Sequence, residues 1–376
     1  MNYPIWGIFF TSRAVQALPL LARFCLACQA SPMSSSDSPA LRSGVLAAGN
    51  FIIDHVKLID AWPAEEMLAT IHSEQTSNGG GAYNLLIDLA RLGAPFPLEA
   101  AGLLGKDAAG AWILEDCERH HINTFQLTQR DDLSTSYTDA FTAIATGRRT
   151  FFHHRGANAR LTAADLDLAA SQSRLFYLGY LMLLDSLDAT GPDGRSAASH
   201  LLENAVHHGF STVVDMVSIA DPGLVAGTRS ALPWIDHFIL NELEAGQLVG
   251  RSLRHSNSQP DLAAMELAAR DLLGAGVRHS VTIHAVEGAV SATAAGCVRQ
   301  SSVALPSGYI KGATGAGDAF AAGWVYALHE NWPTAEGLQL GVCAAAACLA
   351  DPTPSLGLRP LAECLELGRT YGYRSA

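Results

Sequence analysis

Residues 312–320 of this 376-residue chain read Gly-Ala-Thr-Gly-Ala-Gly-Asp-Ala-Phe, and this stretch decides the fold. Its glycines allow the backbone to turn tightly and to direct successive N–H groups toward one point. The mostly apolar residues that follow predict a buried helix over residues 316–328. The N-terminus of such a helix adds partial positive charge behind the turn. The stretch therefore predicts an anion site with one carboxylate, Asp318, within reach of it.

Backbone N–H donors beside a carboxylate suit phosphoryl transfer. The donors stabilise oxygens that gain negative charge, and the carboxylate accepts the proton of the attacking hydroxyl. A structural alternative is that Asp318 only caps its helix, which stabilises a helix by about 0.5–2 kcal/mol. The order of the glycines differs from the dinucleotide-binding fingerprint, and a Walker A loop is absent from the sequence.

Strands and helices alternate along the chain on both sides of this stretch. Strands are predicted at 45–49, 98–104, 175–178, 211–215, 238–240 and 280–283, and helices at 82–92, 107–119, 195–208, 242–248, 261–274 and 316–328. Regular alternation predicts an α/β fold with a mainly parallel central sheet and helices on both faces. Ligands then bind at the carboxyl ends of the strands.

Two segments depart from this alternation. Residues 135–155 are rich in strand-forming residues around Gly147, which predicts a β-hairpin. Residues 1–43 combine a broken apolar segment with a Ser-rich linker, and we expect either a disordered tail or a misassigned N-terminal extension there. The folded domain is expected to span residues 44–376.

Composition narrows the classes of function. The chain is 49% hydrophobic and 16% charged, with a net charge of −12, which argues against a nucleic-acid binder. No apolar segment is long and unbroken enough to predict a membrane span, and a cytoplasmic enzyme is expected. Local groups must then hold any anionic substrate.

Several motifs resemble signatures of the ribokinase-like (PfkB) carbohydrate kinases. Residues 315–320 resemble the second signature of that family, and residues 79–84 with 89–93 resemble the first. Gly105-Lys106-Asp107 with Gly110 is similar to a Gly-x-Asp-x-x-Gly segment, and residues 241–244 to an Asn-x-x-Glu motif. The resemblance runs in register over residues 44–370. It implies a three-layer α/β/α sandwich with a small β lid, whose strands come from about 51–77 and 135–155.

The resemblance also implies site residues. The turn of Gly315, Ala316 and Gly317 forms the anion hole, and Asp318 is the catalytic base. Four residues are expected to hold the hydroxyl groups of the substrate: Asp54, Gly79, Gly80 and Asn84.

ATP and Mg²⁺ are the implied cosubstrate and metal. Asn241, Thr282 and Gly288, together with Gly317, are expected beside the nucleotide, and Glu244 is expected near Mg²⁺ through water. An ordinary helix start with Asn241 as its cap is the alternative for the Asn-x-x-Glu motif.

Three positions depart from the family pattern. Gly312 and Ala313 stand where many members have Asp-Thr, whose Asp helps to form a monovalent-cation site, and this argues against K⁺ activation. His284 replaces a usual glycine after the strand at 281–283, which indicates either a rebuilt nucleotide loop or an imidazole that contacts phosphate. Cys343 replaces a polar residue that some relatives place near adenine.

The sequence therefore predicts an ATP-dependent kinase that acts on a hydroxyl of a sugar or sugar-like substrate. A nucleoside kinase is one alternative, with Phe51, Tyr83, Phe151 and Tyr180 as candidates to stack on a base. A non-catalytic sugar-binding regulator is the other. Arg148 or Arg149 in the hairpin offers a basic group for a phosphorylated sugar, and the lid is the expected surface for a homodimer.

Overall fold

The computed structural model describes residues 42–146, 148–219 and 224–375. The predicted N-terminal tail therefore lies outside the described residues, apart from its last two. Arg42 Nε donates to the Ser173 carbonyl at 2.8 Å, and the guanidinium stacks 4.0 Å from the centre of the Phe210 ring. Among the described residues, Arg42 thus already contacts the folded unit, two residues before the expected boundary at residue 44.

Thirteen strands occur in the described part of the chain. They are β1 (Val45–Gly49), β2 (Ile52–Ile59), β3 (Ile71–Gly79), β4 (Leu98–Gly105), β5 (Asn123–Arg130), β6 (Ser136–Ala143), β7 (Arg149–His154), β8 (Leu175–Leu181), β9 (Ser211–Met216), β10 (His237–Asn241), β11 (Ser280–Ala285), β12 (Gly288–Thr293) and β13 (Gly296–Ser301).

Ten α-helices are found within the same described ranges. They are α1 (Gly81–Leu92), α2 (Ala108–Arg119), α3 (Asp185–Asp188), α4 (Ala197–His207), α5 (Leu224–Ala231), α6 (Glu242–Val249), α7 (Leu262–Gly274), α8 (Ala316–His329), α9 (Thr334–Cys348) and α10 (Leu361–Tyr371). In the ranges that the structure describes, no helix has the length and apolar character needed to cross a membrane.

Nine of these strands form the large sheet, in the order β13-β12-β11-β10-β9-β8-β1-β4-β5. The seven strands from β11 to β5 pair in parallel, and β12 and β13 add an antiparallel edge. The carboxyl ends of β8, β9, β10 and β11 therefore lie along one edge of the sheet, where ligands of α/β folds bind.

Alternate residues of β1 show how the sheet separates two cores. Val45 and Ala47 pack with α1, α8 and α9, whereas Leu46 and Ala48 pack with α4, α6 and α7. Successive side chains of a strand point to opposite faces, so a sheet covered on both sides reads as a continuous apolar run. The predicted three-layer α/β/α sandwich with its mainly parallel sheet is confirmed.

The remaining four strands form a separate small sheet, in the order β3-β2-β6-β7. Strands β6 and β7 are the predicted hairpin. Strands β2 and β3 pair antiparallel over residues 52–79, within the segment where the resemblance implied lid strands. Asp107 ties this sheet to the large one, because its carboxylate accepts bonds from the backbone N–H of Thr135 at 2.8 Å and from its hydroxyl at 2.6 Å.

Helix α8 lies against α9 with almost no side chains between their backbones at one point. A Cβ atom added at Gly323 would lie 2.9 Å from the Cα of Gly341. That distance is far below van der Waals contact, and the atoms it meets belong to a backbone that cannot rotate away. The close approach fixes how α8 sits against the rest of the core, and α8 carries Asp318.

We expect Gly323→Val to lower the free energy of unfolding by about 1–3 kcal/mol or more, because overpacking at a backbone contact forces the two helices apart. Urea denaturation measures this change. Gly274→Ala is the matched control, since nothing lies within 4 Å of a Cβ at that helical position, and it should stabilise by about 0.4–1 kcal/mol. A Gly323→Val protein as stable as the parent would contradict this description of the α8–α9 contact.

Candidate active site

A pocket of about 510 Å³ lies where the carboxyl ends of the central strands face the small sheet. We call it the acidic pocket, because four carboxylic residues line it. They are Asp54, Asp215, Glu244 and Asp318. The large sheet contributes residues from the ends of β9, β10 and β11, and the small sheet contributes one wall from β2, β6 and β7. The expected position of the site at the strand ends is therefore observed.

The glycine turn forms the floor of this pocket. Gly315 precedes α8 with φ of 74°, and a Cβ at this position would lie 2.4 Å from the carbonyl oxygen of Pro354. Only glycine fits there. The first N–H groups of an α-helix have no intrahelical partners, and Gly315 has no side chain that could cap those of α8. These N–H groups and the helix dipole make the turn suitable for an anion.

Asp318 lies in the first turn of α8, and its carboxylate faces the acidic pocket. The Tyr180 hydroxyl donates to Oδ1, and Asn84 Nδ2 donates to Oδ2 at 2.9 Å. Burial raises the pKa of Asp318 to about 6, and the two hydrogen bonds oppose that rise. The carboxylate is thus ionised at neutral pH and basic enough to accept a proton.

Asn84 is itself held by a chain of polar side chains from β3. Asn78 Nδ2 donates to Asn84 Oδ1 at 2.7 Å and to Ser355 Oγ at 2.8 Å, and the Ser77 hydroxyl donates to Asn78 Oδ1 at 3.2 Å. With its oxygen bonded to Asn78, the Asn84 amide presents its nitrogen to Asp318. The network fixes the orientation of the carboxylate.

Asp54 faces Asp318 from strand β2 of the small sheet. Desolvation, with the nearby charge of Asp318, raises the pKa of Asp54 to about 8. Gly79 makes room for it, because a Cβ there would lie 2.4 Å from the Asp54 carboxyl group. Gly80 lines the pocket directly with φ of 87°. A neutral carboxyl group at this position can both donate and accept hydrogen bonds.

Asn241 caps α6 and forms a capping box with Glu244. The Asn241 side chain accepts from the N–H of Leu243 and of Glu244, both at 2.9 Å, and Glu244 Oε2 accepts from the Asn241 N–H at 2.8 Å. The capping role considered for Asn241 is therefore observed. Both side chains also line the acidic pocket, where Glu244 Oε1 accepts from Asn241 Nδ2 at 2.6 Å and from the Ser218 hydroxyl at 2.9 Å.

Burial raises the pKa of Glu244 to about 7. Burial also raises the pKa of Asp215, with the charges of Glu244 and Asp318 adding to the shift. Carboxylates that resist ionisation together favour a cation between them, since metal binding removes their protons. Among residues 42–146, 148–219 and 224–375, no group of three or more His, Cys, Asp or Glu residues is arranged to hold a metal. The carboxyl oxygens of Asp215 and Glu244 are the kind of donor that suits Mg²⁺, which keeps several water or phosphate ligands.

A second pocket, of about 540 Å³, adjoins the first. We call it the apolar pocket, because Phe320, Val303, Leu305 and Val342 line it. Five residues line both pockets and mark where they meet: Arg149, Asn241, His284, Ala313 and Gly317. Gly288 lines the apolar pocket as well.

His284 lies beside the glycine turn. A Cβ at Gly317 would lie 3.2 Å from His284 Cε1, and the imidazole is 5.0 Å from the Phe320 ring. Desolvation lowers the pKa of His284 to about 4, so the ring is neutral at pH 7. It can donate to an oxygen of a ligand but carries no charge.

Three candidate residues, Thr282 for the nucleotide and Phe51 and Tyr83 for a base, are buried in the core. Thr282 is fully buried in the sheet, with its hydroxyl 2.9 Å from Ser291 Oγ, so its geometry gives no support to a phosphate contact. Phe51 and Tyr83 are fully buried and stack on each other with ring centres 5.7 Å apart. They are core residues and cannot stack on a base. Phe151 and Tyr180 do line the acidic pocket.

Sequence reasoning missed two members of the site. Asp215 was seen only as the last residue of a predicted strand, although its position at a strand end next to the switch in connectivity is where site residues are expected. The contact of Tyr180 with Asp318 had no local signal, since 138 residues separate them. Gly147 lies outside the described residues. Arg148, one of the two hairpin arginines, is exposed, and its N–H donates to the Thr146 hydroxyl at 3.2 Å.

The monovalent-cation site of related kinases does not fit this chain. Gly312 has no carboxylate, and a Cβ there would lie 2.5 Å from the Cα of Pro352, so the backbone excludes an aspartate. The Cys348 thiol contacts the carbonyls of Pro354 at 3.0 Å and Thr314 at 3.4 Å. A thiol donor thus satisfies main-chain oxygens beside the glycine turn. Cys343 lies deeper, 3.7 Å from the Tyr373 hydroxyl.

We expect Asp318→Asn to stabilise the protein at pH 8 and not at pH 4. The pKa of Asp318 is raised from 3.8 to about 6 by folding, so the native state resists ionisation, and the cost is complete above about pH 6 and absent below about pH 4. Removing the charge should recover roughly 1–3 kcal/mol at pH 8. Urea denaturation at both pH values measures the difference.

Asp132→Asn is the control for this experiment, because the partner Arg130 holds the pKa of Asp132 below its usual range. Its effect at pH 8 should have the opposite sign. An Asp318→Asn gain that is equal at the two pH values would contradict the assigned pKa of Asp318.

Solved structures of other proteins share this fold. A ribokinase from Giardia lamblia matches with a TM-score of 0.70 and 17% identity, over 86% of this chain and 99% of that one. An Arabidopsis thaliana ribokinase complexed with ribose and ATP matches with a TM-score of 0.68 and 18% identity, over 87% and 98%. A Burkholderia thailandensis nucleoside kinase in complex with inosine matches with a TM-score of 0.65 and 16% identity, over 88% and 98%.

Sequence comparison goes further than the fold. The sequence model described as "pfkB family carbohydrate kinase" matches residues 45–358, which include both signatures, the small sheet and the whole acidic pocket. The match supports a phosphotransferase activity. It does not distinguish a sugar from a nucleoside as the acceptor. This chain belongs to the pfkB family of carbohydrate kinases.

Proposed function

We propose that this kinase transfers the γ-phosphate of MgATP to a hydroxyl of a sugar or sugar-like substrate. One observation carries the proposal: the Asp318 carboxylate, held by Tyr180 and Asn84, faces the acidic pocket beside the free N–H groups at the start of α8. A base and an anion site at one point, with a pocket on each side, suit an in-line transfer between two bound substrates.

The acceptor belongs in the acidic pocket. Asp54, Asn84, Thr138 and His153 provide donors and acceptors along its walls, and this density of polar groups matches a polyol. Burial of the substrate hydroxyl groups then costs little, because each finds a partner. Gly79 and Gly80 act by leaving room for Asp54 and for the substrate.

Asp318 takes the proton of the attacking hydroxyl. The Tyr180 hydroxyl already donates to Oδ1, so this oxygen accepts a hydroxyl group in the required geometry. In the reactive complex the substrate hydroxyl replaces or joins Tyr180 at the carboxylate. The oxygens of the transferring phosphoryl group meet the N–H groups of Gly315, Ala316 and Gly317.

ATP occupies the apolar pocket, with its triphosphate directed toward the five residues shared by the two pockets. Gly288 and Asn241 line that route. Glu244 would hold Mg²⁺ through water, and the metal would offset the charge of the phosphates. The ATP complex of the Arabidopsis ribokinase supports the choice of nucleotide.

The small sheet acts as a lid. Three of its strands line the acidic pocket, so its closure excludes water and favours transfer to the sugar over hydrolysis. The outward side of the same sheet carries the aromatic residues Trp62, Phe141 and Phe152, packed with ring centres about 6 Å apart. This partly exposed cluster supports the expected homodimer through the lid.

A nucleoside is the second candidate acceptor. Phe151 is half exposed and lines the acidic pocket together with Ile52 and Leu183, which gives a base an apolar surface. The inosine complex of the Burkholderia nucleoside kinase supports the same alternative. The polar groups that surround Asp318 favour the sugar.

The test is a phosphorylation screen of the parent protein and Asp318→Asn against ribose, fructose, 2-keto-3-deoxygluconate, nucleosides and sugar phosphates. We expect the parent to phosphorylate a sugar and the variant to lose at least about 1,000-fold in kcat, because the base is gone. Sugar affinity, measured by calorimetry, should change little. Asp132→Asn serves as a surface control of the same chemical change.

Two outcomes would count against the proposal. An Asp318→Asn enzyme with near-normal turnover would contradict the base assignment. A parent protein that binds a sugar and consumes no ATP would favour the sugar-binding regulator.

We also expect turnover to be independent of K⁺, because Gly312 lacks the carboxylate that many family members supply to a monovalent-cation site, and a Cβ there would meet the backbone of Pro352. Rates measured in potassium chloride and in tetramethylammonium chloride at equal ionic strength should agree within about twofold, a difference of about 0.4 kcal/mol. A tenfold activation by K⁺ would contradict this account of the turn.

A further inference from the structure

Arg149 connects the small sheet to the glycine turn. It is the first residue of β7, and its Nη1 donates to the Thr314 hydroxyl at 2.5 Å across 165 residues of sequence. Its side chain lines the acidic pocket and the apolar pocket at once. The guanidinium therefore lies at the junction of the two pockets, beside the residues that hold the proposed anion site.

The ionisable groups around this junction are mostly acidic. Asp54, Asp215, Glu244 and Asp318 line the acidic pocket; burial makes the first three resist ionisation, Asp318 with a pKa of about 6 is ionised at neutral pH, and the whole chain has a net charge of −12. ATP and a phosphoryl group in transit add further negative charge. A transfer at this place needs positive charge beyond that of one Mg²⁺ and the amides of the turn.

Few of the basic residues that line the two pockets can supply this positive charge. Desolvation lowers the pKa of His153 and of His284 to about 4, so both are neutral at pH 7. Arg374 forms an ion pair with Glu287, with 2.9 Å between Nη1 and Oε2. Among the described residues that line these pockets, Arg149 is the one permanent cation outside an ion pair.

We propose that Arg149 is a catalytic residue that binds the phosphoryl group during transfer. This inference rests on the proposed function. The guanidinium exchanges its neutral partner, the Thr314 hydroxyl, for phosphoryl oxygens. Desolvation lowers the pKa of Arg149, yet a guanidinium remains protonated, and its planar fork matches phosphate geometry.

The position of Arg149 on the small sheet adds a consequence. The cation reaches the junction only when this sheet is placed over the pocket, so closure of the lid and stabilisation of the transferring group become one event. ATP bound without an acceptor, under an open lid, lacks the cation and is protected from hydrolysis.

The experiment compares Arg149→Gln and Arg149→Lys with the parent protein, using the best acceptor from the screen at saturation. We expect kcat to fall at least about 100-fold in Arg149→Gln, with partial recovery in Arg149→Lys, since lysine restores charge without the fork. The affinity for MgADP, measured by calorimetry, should stay within about threefold because ADP lacks the transferred group, a difference of about 0.65 kcal/mol. Arg130→Gln is the control, because Arg130 pairs with Asp132 on the surface.

Several outcomes would overturn the role of Arg149. Normal kcat in Arg149→Gln would do so, as would a loss of MgADP affinity that matches the loss of kcat. A raised KM for phosphorylated acceptors alone, with neutral sugars unaffected, would assign Arg149 to the substrate's own anion. A parent protein that transfers phosphate to no acceptor and hydrolyses no ATP would instead contradict the proposed function itself.

Discussion

One carboxylate in a desolvated position, the side chain of Asp318, is the constraint on which the site depends. Its charge is held by one hydroxyl and one amide, with no cation bonded to it in the described part of the chain. Burial without a counter-ion raises its pKa to about 6 and costs folding free energy. A well-stabilised carboxylate would be a poor base. Desolvation of the Asp318 carboxylate therefore both lowers the stability of the fold and gives the side chain its capacity to accept a proton.

Much of the surrounding structure serves this one arrangement. The contact between α8 and α9 at Gly323 and Gly341 places the start of α8 against the sheet, and Gly315 lets the chain pass under Pro354. The chain of bonds from Ser77 through Asn78 orients Asn84 from the other side. Together these elements bring the Asp318 carboxylate, the N–H groups of the glycine turn and the Arg149 guanidinium to one place.

The sequence was sufficient to predict the layers, the parallel sheet and the order of the elements. Continuous apolar runs and helical periodicity show which residues of a strand or helix are buried. The glycine turn and Asp318 could be found because they are contiguous. The place of Asp215 in the site, the contact of Tyr180 with Asp318 and the bond of Arg149 to Thr314 could not be predicted. Each depends on residues that are far apart in sequence and that only the topology brings together. The opposite error occurred at Thr282, Phe51 and Tyr83. A ligand contact was predicted for each of them, but their side chains are buried in the core. Helix α9 was missed because its alanine-rich sequence carries weak periodicity.

The central claim is that the phosphoryl group passes from ATP to the acceptor hydroxyl at a position between the Asp318 carboxylate and the N–H groups of residues 315–317. A crystal structure with MgADP, aluminium fluoride and an acceptor sugar tests it most directly, since the fluoride mimics the phosphoryl group in transit. The account predicts that the fluoride atoms accept hydrogen bonds from the N–H groups of the turn, with the acceptor hydroxyl between the aluminium and the Asp318 carboxylate. A fluoride complex bound elsewhere in the cleft, with the sugar hydroxyl turned away from Asp318, would contradict it.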